Sequence, residues 1–327
     1  MSARFEYLVT GGAGFIGSHL CEKLISTGKS VCVLDNLSTG HLRNIENLLS
    51  LESFHFVEGS VLSADTVNDC VSKCNEVIHL AAAVGVENVI NKPVETIETN
   101  VNGTENILRA ARLNNTKVLI ASTSEVYGKS WEVPFQEDGD IVLGATSRNR
   151  WSYACSKALD EFLALAYSSS YDLPVVVCRF FNTVGPRQSG RYGMVLPRFI
   201  NQALTQQPIT VFGNGTQTRC FSLVSEVIDS VLALLDTPEA LGKVINIGST
   251  DEITILELAR RVREISGSSS EIVKIPYSEA YPKGFEDMQR RVPDVSRLLG
   301  LTGSSPQADI DTIIRQIIEN GIPEGAL

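Results

Sequence analysis

The chain has 327 residues, 43% of them hydrophobic, and a formal charge of −10 with acidic and basic residues interspersed. That length supports one large α/β domain or a main domain with a smaller lobe. No apolar run is long enough for a membrane span and no basic block stands out, so membrane and nucleic-acid partners are both disfavoured.

In chain order, "MSARFEYLVT" leads into a strand over 5–10, without the apolar core and cleavage site of a secretory signal. A helical stretch runs from Gly14 to about Thr27. Strand-like runs follow at 30–35, 54–59, 76–82, 117–122 and 174–180, with helical periodicity around 63–73, 94–113 and 151–169. This alternation predicts an α/β fold, a doubly wound parallel sheet with helices on both faces. The near-continuous apolar strands fit a sheet covered on both sides. After about residue 180 the texture changes to loops such as "NTVGPRQSGRYG" and "FGNGTQTR". A strand-like "KVINIG" (243–248) and a helix "TILELARRVREIS" follow. The expected division is a main domain over 1–180 and a smaller lobe over 181–327, interleaved with the main sheet.

Seven cysteines are scattered without zinc-type pairing, and an odd count argues against a full disulfide framework. They read as buried thiols of a reducing compartment. The four histidines show no ligand spacing, so no metal is expected.

"LVTGGAGFIGSHL" sets glycines at 11, 12, 14 and 17 between a strand and a helix. Such glycines allow a tight turn and let backbone N–H groups approach a pyrophosphate at a helix N-terminus. Asp35 ends the next strand, 18 residues beyond Gly17, near the roughly 20-residue distance expected of a ribose-binding carboxylate. Candidate dinucleotide contacts are therefore Gly11, Gly14, Phe15, Ile16, Gly17, Asp35 and Asn36. Asp35 would repel a 2′-phosphate and "NLSTG" supplies no arginine, so NAD is preferred to NADP.

"WSYACSKALDEF" places Tyr153 and Lys157 four apart on one face of a helix. An ammonium near a phenol favours the phenolate, so Tyr153 reads as a general base tuned by Lys157. Cys155, between them, should point to another face and pack. "ASTSEVYG" (121–128) ends a strand with two hydroxyls and a carboxylate, Glu125, facing the crevice where ligands bind.

With these motifs the chain resembles the extended short-chain dehydrogenase/reductases that epimerise, dehydrate or decarboxylate nucleotide sugars. The resemblance runs nearly end to end through "TGGAGFIGSHL", "HLAA", "NVNGT", "STSEVYG", "YACSK", "RFFNTVGPR", "GNGTQTRCF", "INIGS" and "QRRVPDV". It implies a Rossmann domain holding NAD and a C-terminal lobe holding a nucleoside diphosphate sugar. Thr123 and Tyr153 would then bind the sugar 4-hydroxyl, and Lys157 the nicotinamide ribose. Ala81 and Ala82 would approach the cofactor by backbone, with Asn100 behind them. Ser124, Asn182, Arg191, Arg219 and Arg290 would bind the substrate, the arginines taking the diphosphate or the acidic end of the sugar. Ser60 stands where the family usually has an acidic residue near the adenine, and Cys220 where many members have Asp.

All reactions of the group begin by oxidising the sugar at C4. A 4-epimerase returns hydride to the other face and needs no carboxylate at position 125. A 4,6-dehydratase removes the C5 proton, a task for a glutamate base. A decarboxylase loses CO2 from a uronate and reprotonates C5. Glu125 argues against a plain epimerase, either as an acid–base group or as a residue that orients sugar or water. The distal "GTQTRCF" and "EDMQRRVPDV" are most similar to UDP-glucuronate decarboxylases. A UDP-sugar 4-epimerase, a 4,6-dehydratase and a non-catalytic NAD(H)-binding regulator remain open. Helices around 94–113 and 153–170 resemble the family's dimer contact, so a cytoplasmic homodimer is expected.

Overall fold

The computed structural model describes residues 5–85, 89, 91–190, 194–280 and 288–321. The first half winds as β1 (Phe5–Thr10), α1 (Phe15–Ser26), β2 (Val31–Asp35), β3 (Phe54–Glu58), α2 (Ala64–Ser72) and β4 (Cys74–His79). It continues through α3 (Pro93–Asn114), β5 (Lys117–Thr123), α4 (Arg150–Tyr171) and β6 (Val175–Phe180). These six strands and Lys243–Ile247 form one parallel sheet, in the order Lys243–Ile247, β6, β5, β4, β1, β2, β3.

Strand periodicity explains why this sheet is buried on both sides. Val9, Val33, Ile78, Leu119 and Val176 face one layer, packed by Leu20 and Leu24 of α1 and by Val227, Val231 and Leu234. Their neighbours Leu8, Cys32, Val77, Val118 and Val175 face the other, packed by Val67 of α2, Ile107 and Leu108 of α3, and Ala164 of α4. Successive strand side chains point to opposite faces, so an unbroken apolar run fills two cores at once.

Local signals set the helix ends. The Ser63 hydroxyl accepts the Thr66 N–H to open α2, and Pro93 stands in the first turn of α3. Asn115 and Asp172 adopt left-handed conformations that close α3 and α4.

The second half has its own core, in which Phe199, Ile209, Val211, Leu258 and Ile314 pack together. The interleaving is physical: Lys243–Ile247 pairs with β6, and the helix Val224–Leu235 packs on the main sheet. The chain reverses direction of winding at β1, which has β2 on one side and β4 on the other. Ligand crevices in such sheets open at the carboxyl ends of the strands beside that point. Among the described residues, no helix is long and apolar enough to cross a membrane.

Candidate active site

A cavity of about 510 Å³ runs from the glycine-rich turn, past the ends of β4 and β5, to Phe212 and Tyr277 of the second half. Its first part is built from backbone. Gly14 opens α1 with no side-chain cap, leaving the first-turn amides to whatever occupies the cavity. A side chain at Gly17 would put Cβ 2.2 Å from the Gly11 carbonyl, and Gly11 itself has φ +72°. The turn therefore closes only with glycine at both positions. The cavity is lined here by Gly11, Gly14, Phe15, Ile16 and Gly17, and across from them by Asp35 and Asn36. Asp35 Oδ2 accepts the Ala13 N–H at 2.9 Å and Oδ1 the Leu37 N–H at 2.8 Å. It thus braces the glycine turn from the tip of β2, and burial raises its pKa. A donor-rich, side-chain-free cradle beside a carboxylate fits a dinucleotide with a free ribose hydroxyl.

Ala81 and Ala82 line the cavity beyond the end of β4. Asn100 does not; its Oδ1 accepts the Ala83 N–H at 2.8 Å, and its Nδ2 donates to Ser156 at 3.0 Å. Its expected cofactor contact is thus replaced by support of the lining backbone from α3. Ser60 is also outside the lining, and its hydroxyl accepts the Leu62 N–H. That local turn satisfies the short side chain, whereas its neighbours Gly59 and Val61 reach the cavity.

The reactive end gathers at the tips of β5 and α4. Thr123, Ser124, Glu125 and Tyr153 all line the cavity. The Thr123 hydroxyl accepts the Glu125 N–H at 3.2 Å and hydrogen-bonds the Tyr153 phenol. Lys157 departs from expectation. It is 2% exposed, lies off the cavity lining, and donates at 2.7 Å to Asp160 one turn on. Accordingly, the phenol of Tyr153 is pushed up by burial and then by the Glu125 charge, with Asp160 adding to the rise. The phenol is thus raised and not lowered as expected, with burial and the Glu125 charge the main causes, while Lys157 is ion-paired with Asp160.

Glu125 sits between two guanidiniums. Arg291 Nη1 donates to Oε1 at 2.5 Å, and Arg150 Nη2 is ion-paired with Oε2. Burial alone would raise this carboxyl, but Arg150 and Arg291 outweigh it and hold it at about 2. Such a group stays ionised and is a weak base, so the geometry favours Glu125 as an orienting charge over an acid–base catalyst. Arg291 Nη2 also donates at 2.6 Å to Asn182 Oδ1, while Asn182 Nδ2 donates to the Cys220 carbonyl. Asn182 and Arg219 line the cavity as expected.

Arg290 does not line it. It forms a two-pronged ion pair with Glu252 on the surface, and its neighbour Arg291 takes the place inside. In an extended segment successive side chains face opposite ways, so "QRR" alone does not say which arginine turns in. Arg150 was also missed; its position three residues before Tyr153, on the same helix face, was the available signal. Arg191 lies outside the described residues. All seven cysteines are unpaired, six of them buried and Cys155 exposed. The expected packing of Cys155 is therefore not seen. No group of metal-ligating side chains occurs among the described residues.

A family model described as GDP-mannose 4,6 dehydratase matches residues 8–317. The chain belongs to this family. Within the GDP-mannose 4,6-dehydratase family, it is 43% identical to a UDP-N-acetyl-alpha-D-glucosaminuronate decarboxylase of Bacillus cytotoxicus, covering 95% of this chain and 96% of that one. It is 34% identical to UDP-glucuronic acid decarboxylase 1 of Danio rerio over 97% of this chain and 72% of that one. The fold is similar, with a TM-score of 0.86, to the UDP-glucuronic acid 4-epimerase of Bacillus cereus in complex with UDP-glucuronic acid and NAD. That protein is 29% identical, with 96% of this chain and 98% of that one covered.

Proposed function

We propose that this chain is an NAD-dependent decarboxylase of a UDP-linked hexuronate. The observation that carries the reading is the Glu125–Arg150–Arg291 cluster beside Tyr153. Two guanidiniums gathered on Glu125 at the reactive end form a site of the kind that suits a sugar bearing its own carboxylate. The glycine cradle, Asp35 and the Ala81–Ala82 backbone would hold NAD, which supplies reversible hydride acceptance at the sugar C4.

The residues then have separate tasks. Thr123 and Tyr153 hold the 4-hydroxyl, and Tyr153 takes its proton as the C4 hydride departs. The resulting ketone lies β to the C6 carboxylate. Breaking the C5–C6 bond releases CO2 and leaves its electron pair in a C4–C5 enolate, which takes a proton at C5 from solvent water. Tyr153 would give its proton back to the 4-oxygen as C4 is reduced again, so that a turnover would have no net oxidation. Arg219 and Asn182, on the second-half side of the cavity, would bind the diphosphate.

The 43% identity to an enzyme of the 2-acetamido uronate favours that substrate over UDP-glucuronate. Incubation of the protein with each UDP-uronate and NAD, followed by mass analysis, tests the reading. Loss of CO2 is expected. Loss of water would make it a dehydratase, an isomer of unchanged mass a 4-epimerase, and no product from any substrate a binding protein. Tyr153→Phe should lower the rate by a factor on the order of 10²–10⁴. Seven unpaired thiols favour a reducing, cytoplasmic compartment.

A further inference from the structure

A chain of polar side chains runs through the otherwise apolar layer between the sheet and helices α3 and α4. The Ala81 N–H, at the cavity lining, donates to Thr10 Oγ1 at 3.2 Å. Thr10 Oγ1 lies 2.7 Å from His79 Nδ1, and His79 Nε2 lies 3.2 Å from Thr104 Oγ1. The Thr104 hydroxyl faces the Asp160 carboxylate, which accepts from Lys157 at 2.7 Å. Every one of these side chains is buried.

The hydrogens can be assigned by counting donors. Burial, and then the Lys157 charge, hold His79 at about 3, so its ring is neutral and carries one N–H. Thr10 accepts from Ala81, so its own O–H is available for His79 Nδ1. The Nε2–H then donates to Thr104, whose O–H is left to donate to Asp160. The opposite tautomer would leave Thr104 donating to His79 and Asp160 without that donor. One direction alone turns a hydroxyl hydrogen toward the Asp160 carboxylate, whose Oδ1 otherwise has no partner.

We propose that Asp160 is a positioning residue for the reaction, holding Lys157 through a hydrogen-bonded chain anchored on the cofactor-lining backbone at Ala81. This inference deepens the proposed function and rests on it for the roles of Tyr153 and Lys157. Asp160 touches neither the cavity nor Tyr153's hydroxyl partner Thr123; it acts through Lys157 and through its charge. The titratable and charged groups around the pair are neutral His79 from β4, Glu161 on α4, itself ion-paired with Arg179, and, around Tyr153, Glu125 and Arg150. Lys157 itself is ion-paired with Asp160.

Asp160→Asn removes the compensating charge and leaves the ammonium to act on the phenol. The acid limb of the kcat–pH profile of the NAD-loaded enzyme should move down by roughly one pH unit. KM for the UDP-uronate should stay within about twofold, since no substrate contact changes. Asp160→Glu should restore the wild-type limb. An unmoved limb in Asp160→Asn, or identical behaviour of the Asn and Glu variants, overturns the proposal.

Near-ultraviolet phenolate absorbance of the NAD-loaded protein, taken as the difference from Tyr153→Phe, gives a readout that needs no turnover. If the phenolate of Asp160→Asn forms at lower pH but no uronate is decarboxylated, the proposed reaction fails and the positioning role stands. If decarboxylation occurs and the phenolate onset is unmoved, the positioning role falls. Should Asp160→Asn not fold, Thr104→Val keeps both charges while loosening Asp160. Its kcat should then fall on the order of tenfold at constant KM, and an unchanged kcat overturns the proposal.

Discussion

Glu125 shows how a residue's type and its task can part. A glutamate after "STS" invites a role as base, but a carboxyl held at about 2 by Arg150 and Arg291 against the opposing effect of burial is an anion at neutral pH. It pairs with both guanidiniums, and under the proposed function it would oppose a second carboxylate placed beside it. Under that proposal, a uronate whose carboxylate shared that space would gain by losing it as neutral CO2. Glu125→Gln should therefore preserve reduction of bound NAD in a single turnover, seen as nicotinamide absorbance, while slowing CO2 release. Equal loss of both steps would count against this role. The sign of its pH dependence follows from the lowered pKa. The stability that Glu125 contributes is present above its ordinary value of 4.5 and lost as pH falls from there through about 2. Acid unfolding of the wild type and of Glu125→Gln, followed by circular dichroism, should diverge in that window, with the variant the flatter.

Helices α3 and α4 pack against each other yet leave large apolar side chains in solvent. Phe162 is 66% exposed, with Leu159 on the same helix and Val94 and Ile97 on α3 also exposed. Single exposed apolar residues are ordinary, but several on two adjoining helices form a face suited to a second copy. We propose that this face makes the homodimer. Phe162→Asp should shift the mass measured by light scattering from dimer to monomer at micromolar concentration. A wild-type protein that is already monomeric would refute the assignment.

The two halves of the chain are not separable pieces. The sheet needs Lys243–Ile247 against β6, and its upper layer needs Val227, Val231 and Leu234. Residues 1–180 expressed alone would expose that layer and leave β6 as an unpaired edge, a site for aggregation. Such a fragment should be insoluble or more rapidly proteolysed than the full chain; a soluble fragment with a cooperative thermal transition would contradict this. The cavity has the same dependence, since Tyr153 comes from the first half and Arg219 and Arg291 from the second.

By itself the sequence determined the alternation of strands and helices, the glycine turn with Asp35, and the cluster Thr123, Glu125 and Tyr153. These are local: the periodicity of a strand, the steric needs of a turn and the spacing of a helix face are written within a few residues of each other. Only the tertiary structure decided that Arg291 and not Arg290 enters the site, that Arg150 clamps Glu125, that Asn100 and Ser60 stay off the lining, and that Lys157 rests on Asp160. Each of those depends on which charge from a distant segment is nearest once water is excluded. Ion pairs in a buried site are chosen by distance in space, a quantity that separation along the chain does not carry.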